Sequence, residues 1–229
     1  MKIFRIYISL VLLVSMQLPG YAQSDKNMAN NSIRIPLKIG KNSSTQFETL
    51  IIKPTNLFVQ SKPINKDSPH IQLELNVVEN NTLYTTFLWH YHTSSNGQKT
   101  NYPKAYKNYS FNLKINNDEV ELIVEKLKFG KNIFIDLGQT AVIETLAIMF
   151  ENYIGEWSED IDGNQIDAFN TYTILLSEGN EQKSLSFISL NKQVKKELLI
   201  EWNHYKILIL GDSEKALKLK VFKNDSKNK

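Results

Sequence analysis

Residues 140–155 read TAVIETLAIMFENYIG. Ala, Leu, Met and Glu favour helices, and the apolar positions would suit one. The fold class turns on whether a helix forms here. A second stretch of the same chain decides it. Residues 47–58, FETLIIKPTNLF, line up with residues 143–154, IETLAIMFENYI. Glu48/Glu144, Thr49/Thr145, Leu50/Leu146, Ile52/Ile148 and Asn56/Asn152 coincide. Pro54 stands opposite Phe150 in mid-segment, where its ring and its missing N–H would break a helix. If the two copies share a fold, 140–155 is extended, and Pro54 lies on an edge or at a bulge.

The likeness extends outward from this pair. LKIG (37–40) matches IDLG (135–138), and IQLELNVVENNTLYTTFL (71–88) resembles NTYTILLSEGNEQKSLSF (170–187). NYSFNLKINNDEVELIV (108–124) resembles HYKILILGDSEKALKLKV (204–221). Order and spacing are kept across all four blocks, the mark of an internal repeat. The blocks alternate apolar with polar residues: Leu73, Leu75, Val77; Tyr109, Phe111, Leu113, Ile115; Leu217, Leu219, Val221. A period of two means strands with one face buried. Turn residues separate them at Glu79-Asn80-Asn81, Asn116-Asn117-Asp118, Glu178-Gly179-Asn180 and Gly211-Asp212-Ser213. The expected fold is all-β: two tandem antiparallel β-sandwich-like (Ig-like) domains over 33–128 and 131–223. They join near Lys128–Lys131 and are expected to pack together, and 224–229 is expected to be a disordered tail.

The chain starts MKIFRIYISLVLLVSMQLPGYAQ. A basic start, an apolar run over 6–16 and the small-residue end at Ala22 predict a signal peptide over 1–22. The run is too short to span a bilayer, and no later segment matches it, so no transmembrane segment is expected in the mature chain. The protein is therefore expected to be exported, to the periplasm or beyond the cell. The absence of cysteine rules out disulfides and a lipid-modified cysteine, so it would not be a lipoprotein. Loss of Lys2 and Arg5 lowers Lys+Arg from 27 to 25, against 24 acids. So small a net charge argues against nucleic acid as a partner.

Two segments invite a functional reading. EWSEDIDGNQID (156–167) gathers Glu156, Glu159, Asp160, Asp162 and Asp167. Counted from Asp160, Asp162 and Asn164 occupy the third and fifth positions of a calcium loop. Gln165 then stands where glycine is needed and Thr171 where the bidentate acid belongs. The matching stretch 59–70, VQSKPINKDSPH, holds one acid. The expectation is a hydrated inter-strand loop turning at Asp162-Gly163. Calcium at Asp160, Asp162 and Asn164, or a hydrolase using a carboxylate pair in 156–167, are the alternatives.

The second segment is LWHYHTSSNGQKTNYPKAYKNY (88–109). His90 and His92, two apart on a strand, would point one way and could form half of a zinc or copper site. Trp89 and Tyr91 would then face the core. A long loop over 93–108 would present Tyr102 and Tyr106, and these rings suit a protein or glycan partner. Tyr109 aligns with Tyr205 and reads as core.

There is no thiol nucleophile, no G-x-S-x-G elbow, no glycine-rich phosphate loop and no H-E-x-x-H. The expectation is an exported, non-enzymatic binding or structural module of the cell envelope. Its ligand would be a protein or glycan met through Trp89, Tyr91, Tyr102 and Tyr106, with no cofactor. A periplasmic metal binder using His90/His92 is the alternative.

Overall fold

A computed structural model of the chain describes residues 32–60, 70–90, 103–116, 119–190, 198–212 and 215–224. The expected leader over 1–22, the tail from 225, and Tyr91, His92 and Tyr102 lie outside the described residues. The described chain is all-β, with no helix. The first half holds β1 (Ser32–Leu37), β2 (Thr45–Phe47), β3 (Leu50–Gln60), β4 (His70–Glu79), β5 (Thr82–His90), β6 (Lys104–Tyr106), β7 (Tyr109–Asn116) and β8 (Glu119–Lys126). The second holds β9 (Asn132–Asp136), β10 (Thr140–Ile143), β11 (Leu146–Glu159), β12 (Gln165–Glu178), β13 (Glu181–Leu190), β14 (Leu198–Trp202), β15 (Tyr205–Asp212) and β16 (Ala216–Lys223).

Residues 140–155 are thus two strands and a turn. Ile143 pairs with Leu146 across Glu144-Thr145, as Phe47 pairs with Leu50 across Glu48-Thr49. Each turn opens on a glutamate at positive φ, 51° at Glu48 and 53° at Glu144. The register of β3 on β4 slips between Pro54 and Asn56, and that of β11 on β12 slips between Phe150 and Asn152. Pro54 therefore sits at a bulge, where a strand can accommodate it, and the other half bulges at the matching place.

The strands form three sheets. Two are four-stranded, in the orders β2-β3-β4-β5 and β10-β11-β12-β13. The third has eight strands, in the order β1-β8-β7-β6-β9-β16-β15-β14. Its second four strands repeat the order of its first four. Each four-stranded sheet is a plain meander of consecutive strands. An immunoglobulin sandwich instead distributes consecutive strands between its sheets, so the Ig-like expectation finds no support in this order.

Two apolar clusters fill the spaces between sheets. One takes Ile35 and Leu37 from β1, Leu50 and Ile52 from β3, Leu73, Leu75 and Val77 from β4, and Phe111, Leu113, Leu122 and Val124 from β7 and β8. The other takes Ile133 and Ile135, Ile148 and Phe150, Tyr172, Ile174 and Leu176, and Ile207, Leu219 and Val221. Tyr109 and Tyr205 are both buried, as their alignment predicts.

The two halves meet at β6. It pairs with β7 on one side, and Lys104 pairs in parallel with Phe134 of β9 on the other. Phe134 N donates to Pro103 O at 2.8 Å. Tyr106 belongs to the first cluster and its neighbour Ala105 to the second. Adjacent residues of a strand point to opposite faces, so the two cores lie on opposite faces of the central sheet. Asp136 confirms the switch. It stands one residue from Ile135, a second-core residue, and turns toward the first core. There it accepts hydrogen bonds from Lys104 Nζ (2.8 Å to each oxygen), Tyr84 OH (3.0 Å) and Thr86 Oγ1 (3.1 Å). Burial and the Asp136 carboxylate push the Tyr84 phenol well above its usual value, so it stays a donor.

Asp136→Ala should strand a largely buried ammonium at Lys104 and lower stability by about 3 kcal/mol, about 10 °C in Tm for a chain of this size. The pair of changes Lys104→Met and Asp136→Leu should recover part of that loss, since no buried ammonium is then stranded while Tyr84 OH and Thr86 Oγ1 still lose their acceptor. Urea and thermal unfolding of both variants check this. An Asp136→Ala protein as stable as the parent would deny the ion pair its role.

Candidate functional site

The outer faces of the four-stranded sheets carry most of the exposed large apolar side chains. Along β5, Tyr84, Thr86 and Leu88 face the core, whereas Phe87 and Trp89 face outward. This inverts the expected phase: Trp89 is 44% exposed, and His90 shares the side of Leu88 and is half-buried. Gln72 of β4 pairs with both Phe58 of β3 and Trp89 of β5, giving one cross-strand row. Phe58 is 60% exposed. Phe87 is 40% exposed and lies stacked beside Trp89 with ring centroids 6.2 Å apart. Lys104 Nζ sits 5.3 Å from the Trp89 ring centroid. Amides border the rings at Gln72, Asn56 and Asn76. Asn56 Nδ2 bonds the Glu74 carboxylate, and Asn76 accepts from Thr85 Oγ1 at 2.7 Å.

The second half holds apolar residues in the same row. Thr171 pairs with Ile154 and Ile188, the counterparts of Phe58 and Trp89, and both isoleucines are exposed. Phe169 lies next to them and is also exposed. Of the aromatic residues proposed for binding from sequence, Trp89 and Tyr106 are among the described residues, and of these two Trp89 takes part in such a face. Tyr106 is 4% exposed and stacks on Tyr84 at 4.5 Å, so it is a core residue of β6 and not part of an open loop.

The acidic segment 156–167 is mostly strand, and the turn is Asp160–Asn164. Asp160 Oδ1 accepts from Asp162 N (3.0 Å) and Asn164 N (2.7 Å), and Oδ2 accepts from Asn164 Nδ2 (3.0 Å). Those bonds, led by that from the Asn164 side chain, hold the Asp160 carboxyl below its usual range. Its oxygens serve the turn. Among the described residues no three His, Asp or Glu side chains gather to hold a metal.

A polar knot at the turn end of each half explains why Glu-Thr occurs twice. In the first half Glu79 accepts from Thr49 Oγ1 at 2.8 Å and from Lys107 Nζ, while Glu48 accepts from Tyr109 OH at 2.6 Å and from Lys126 Nζ. In the second, Glu178 accepts from Thr145 Oγ1 (2.8 Å), Tyr205 OH (2.5 Å) and Asn203 Nδ2 (3.4 Å), while Glu144 accepts from Lys223 Nζ (2.7 Å). Nearby, a cleft of about 620 Å³ opens at the join of the halves, with Lys126, Lys128, Lys131 and Lys220 against Glu125. The knots explain shared residues by structure, and the cleft is lined largely by the segment 125–133 that joins the halves. The aromatic face has no such local structural explanation.

No protein-family model, no curated protein and no solved structure matches the chain.

Three carboxyls of the knots titrate below the usual 4.5. The bond from Lys126, then that from Tyr109, lowers Glu48. Burial pulls Glu79 upward, but the bonds from Lys107 and Thr49 outweigh it. The bond from Tyr205 lowers Glu178. A carboxyl depressed on folding stabilises the protein above its unfolded value and loses that contribution as the pH falls through the folded value. Tm should therefore hold near neutrality and decline as the pH drops below about 5, and Tyr205→Phe should flatten the decline. Thermal melts across a pH series measure both slopes, and equal slopes in the two proteins would count against the Tyr205–Glu178 contribution.

Proposed function

We propose that the chain is exported and acts as a non-enzymatic binding module at the cell envelope, built as two tandem β-sandwich-like units over 33–128 and 131–223. Its ligand is a protein or a glycan, held on the outer face of β3–β5. The observation that carries this reading is the row Phe58–Gln72–Trp89 with Phe87 beside it. Contiguous exposed apolar surface on a soluble domain marks contact with a partner. Rings exposed on a sheet face and bordered by Gln72, Asn56 and Asn76 favour a sugar ring, which stacks on aromatic faces and exchanges hydrogen bonds with amides. The apolar row at Ile154 and Ile188 supports a face used in both halves.

Glycan-array and pull-down measurements with the purified protein test the reading. Phe58→Ala and Trp89→Ala should each weaken binding about 30-fold, as loss of a hot-spot ring does. Phe58 is 60% exposed, so Phe58→Ala should move stability by no more than about 0.5 kcal/mol, and Trp89→Ala, which also loses its contacts with Phe87 and Lys104, by about 1–2 kcal/mol. Ligand binding that survives both changes would remove this face from the account.

A further inference from the structure

The two halves supply a template for a contact that the described residues leave open. In the central sheet, β6 receives β9 on its outer edge. The counterpart of β6 is β14: Tyr106 pairs with Tyr109 as Trp202 pairs with Tyr205. Ile200 is therefore the equivalent of Lys104, and Leu199 that of Pro103. Among the described residues β14 pairs only with β15 and forms one edge of the eight-stranded sheet. Its sequence, LLIEW, has no proline and no lysine, and Leu199 is half-exposed. An open apolar edge is a ready template for a further strand.

The other edge is β1, the counterpart of β9. Leu37 pairs with Val120 as Ile135 pairs with Leu217, and Ile35 pairs with Leu122 as Ile133 pairs with Leu219. Pro36 is thus the equivalent of Phe134, the residue whose N–H makes the bond across the seam. Proline has no N–H to give. Lys38 likewise replaces Asp136, whose carboxylate closes the seam ion pair. A second copy stacking head-to-tail would bring Pro36 and Lys38 against Leu199 and Ile200, without the hydrogen bond and with an ammonium against an isoleucine. The edges are unequal, one open and one blunted.

We propose that β14 is a strand-acceptor edge whose occupant is an extended segment of another protein, added parallel to β14. The seam defines its chemistry. It carries a backbone N–H where Phe134 stands, has apolar residues at the two buried positions held by Ile133 and Ile135, and is apolar where Asp136 stands, because Ile200 offers no cation. Main-chain bonds then provide affinity, and alternate side chains provide selectivity. This surface is separate from the aromatic face of β3–β5, and neither requires the other.

The probe is a synthetic peptide with the sequence of residues 131–137, KNIFIDL, alongside KNIFILL and KNIPIDL, offered to the full chain. Hydrogen exchange read by mass spectrometry should show the amides of 198–202 slowed by about tenfold or more. KNIFILL should act at lower concentration than KNIFIDL, and KNIPIDL should not act. Exchange at 103–106 should not change, which separates capture at β14 from displacement of β9. The proposal is overturned if 198–202 is not slowed at saturating peptide, if KNIPIDL protects as well as KNIFIDL, or if the wild-type chain forms head-to-tail oligomers through β14 and β1 in size-exclusion and cross-linking measurements.

Discussion

Everything in this fold depends on three residues of β6 that must satisfy two cores at once. Ala105 fills a space in the second core and Tyr106 a space in the first, one peptide unit apart. The strand cannot shift by one residue without exchanging the two side chains between opposite faces of the sheet. Its register is held from both sides, by β7 and by the bond from Phe134 to Pro103, and Lys107 continues the contact into Thr140 and Val142. The ion pair of Lys104 and Asp136, both largely withdrawn from water, then fixes the seam. Because the strand is shared, the second core is incomplete without Ala105 and Leu127 of the first half, whereas the first core takes its members from 33–124, and the residues from 31 onward cohere as one compact unit.

The repeat also shows how one plan tolerates different chemistry. Thr49 and Thr145 do the same thing, each donating to the glutamate that ends the neighbouring strand. The tyrosines do not. Tyr109 donates to the turn glutamate Glu48, whereas Tyr205 donates to Glu178. Where Lys107 pairs with Glu79, Asn203 supplies an amide to Glu178 and Glu181. Lys107 and Asn203 share the same positive φ of 50°, so the backbone turn is retained while the charge on it changes. A knot that must be satisfied can be satisfied in more than one way.

Much of this was legible because two copies could be compared. Pro54 excluded a helix for both, and the bulge that accommodates it recurs beside Phe150. The strands with clean alternation, such as β4 and β16, were read correctly. Strand β5 was read with the wrong face inward, because TLYTTFLWH places large apolar residues on both sides: Leu83, Phe87 and Trp89 against Tyr84 and Leu88. Its own period sets no phase, and the sheet packed against it decides. The short strand β6 is three residues, too few for any period, so nothing in the sequence distinguishes Tyr106 from a loop residue. In the acidic segment, EWSE is exposed on both faces of β11, and its extension comes from backbone pairing with β12. The parallel seam was out of reach altogether, since it joins a proline carbonyl to a distant amide, and side-chain patterning does not record such a bond.

The placement of the two cores on opposite faces of the central sheet has a geometric consequence. The outer faces of the two small meanders, one with Phe58 and Trp89 and the other with Ile154 and Ile188, lie on opposite sides of the central sheet. No single flat object can rest on both. A molecule gripping with both hands would therefore tether two separate bodies, with this protein as the rivet between them, instead of holding one body twice as tightly.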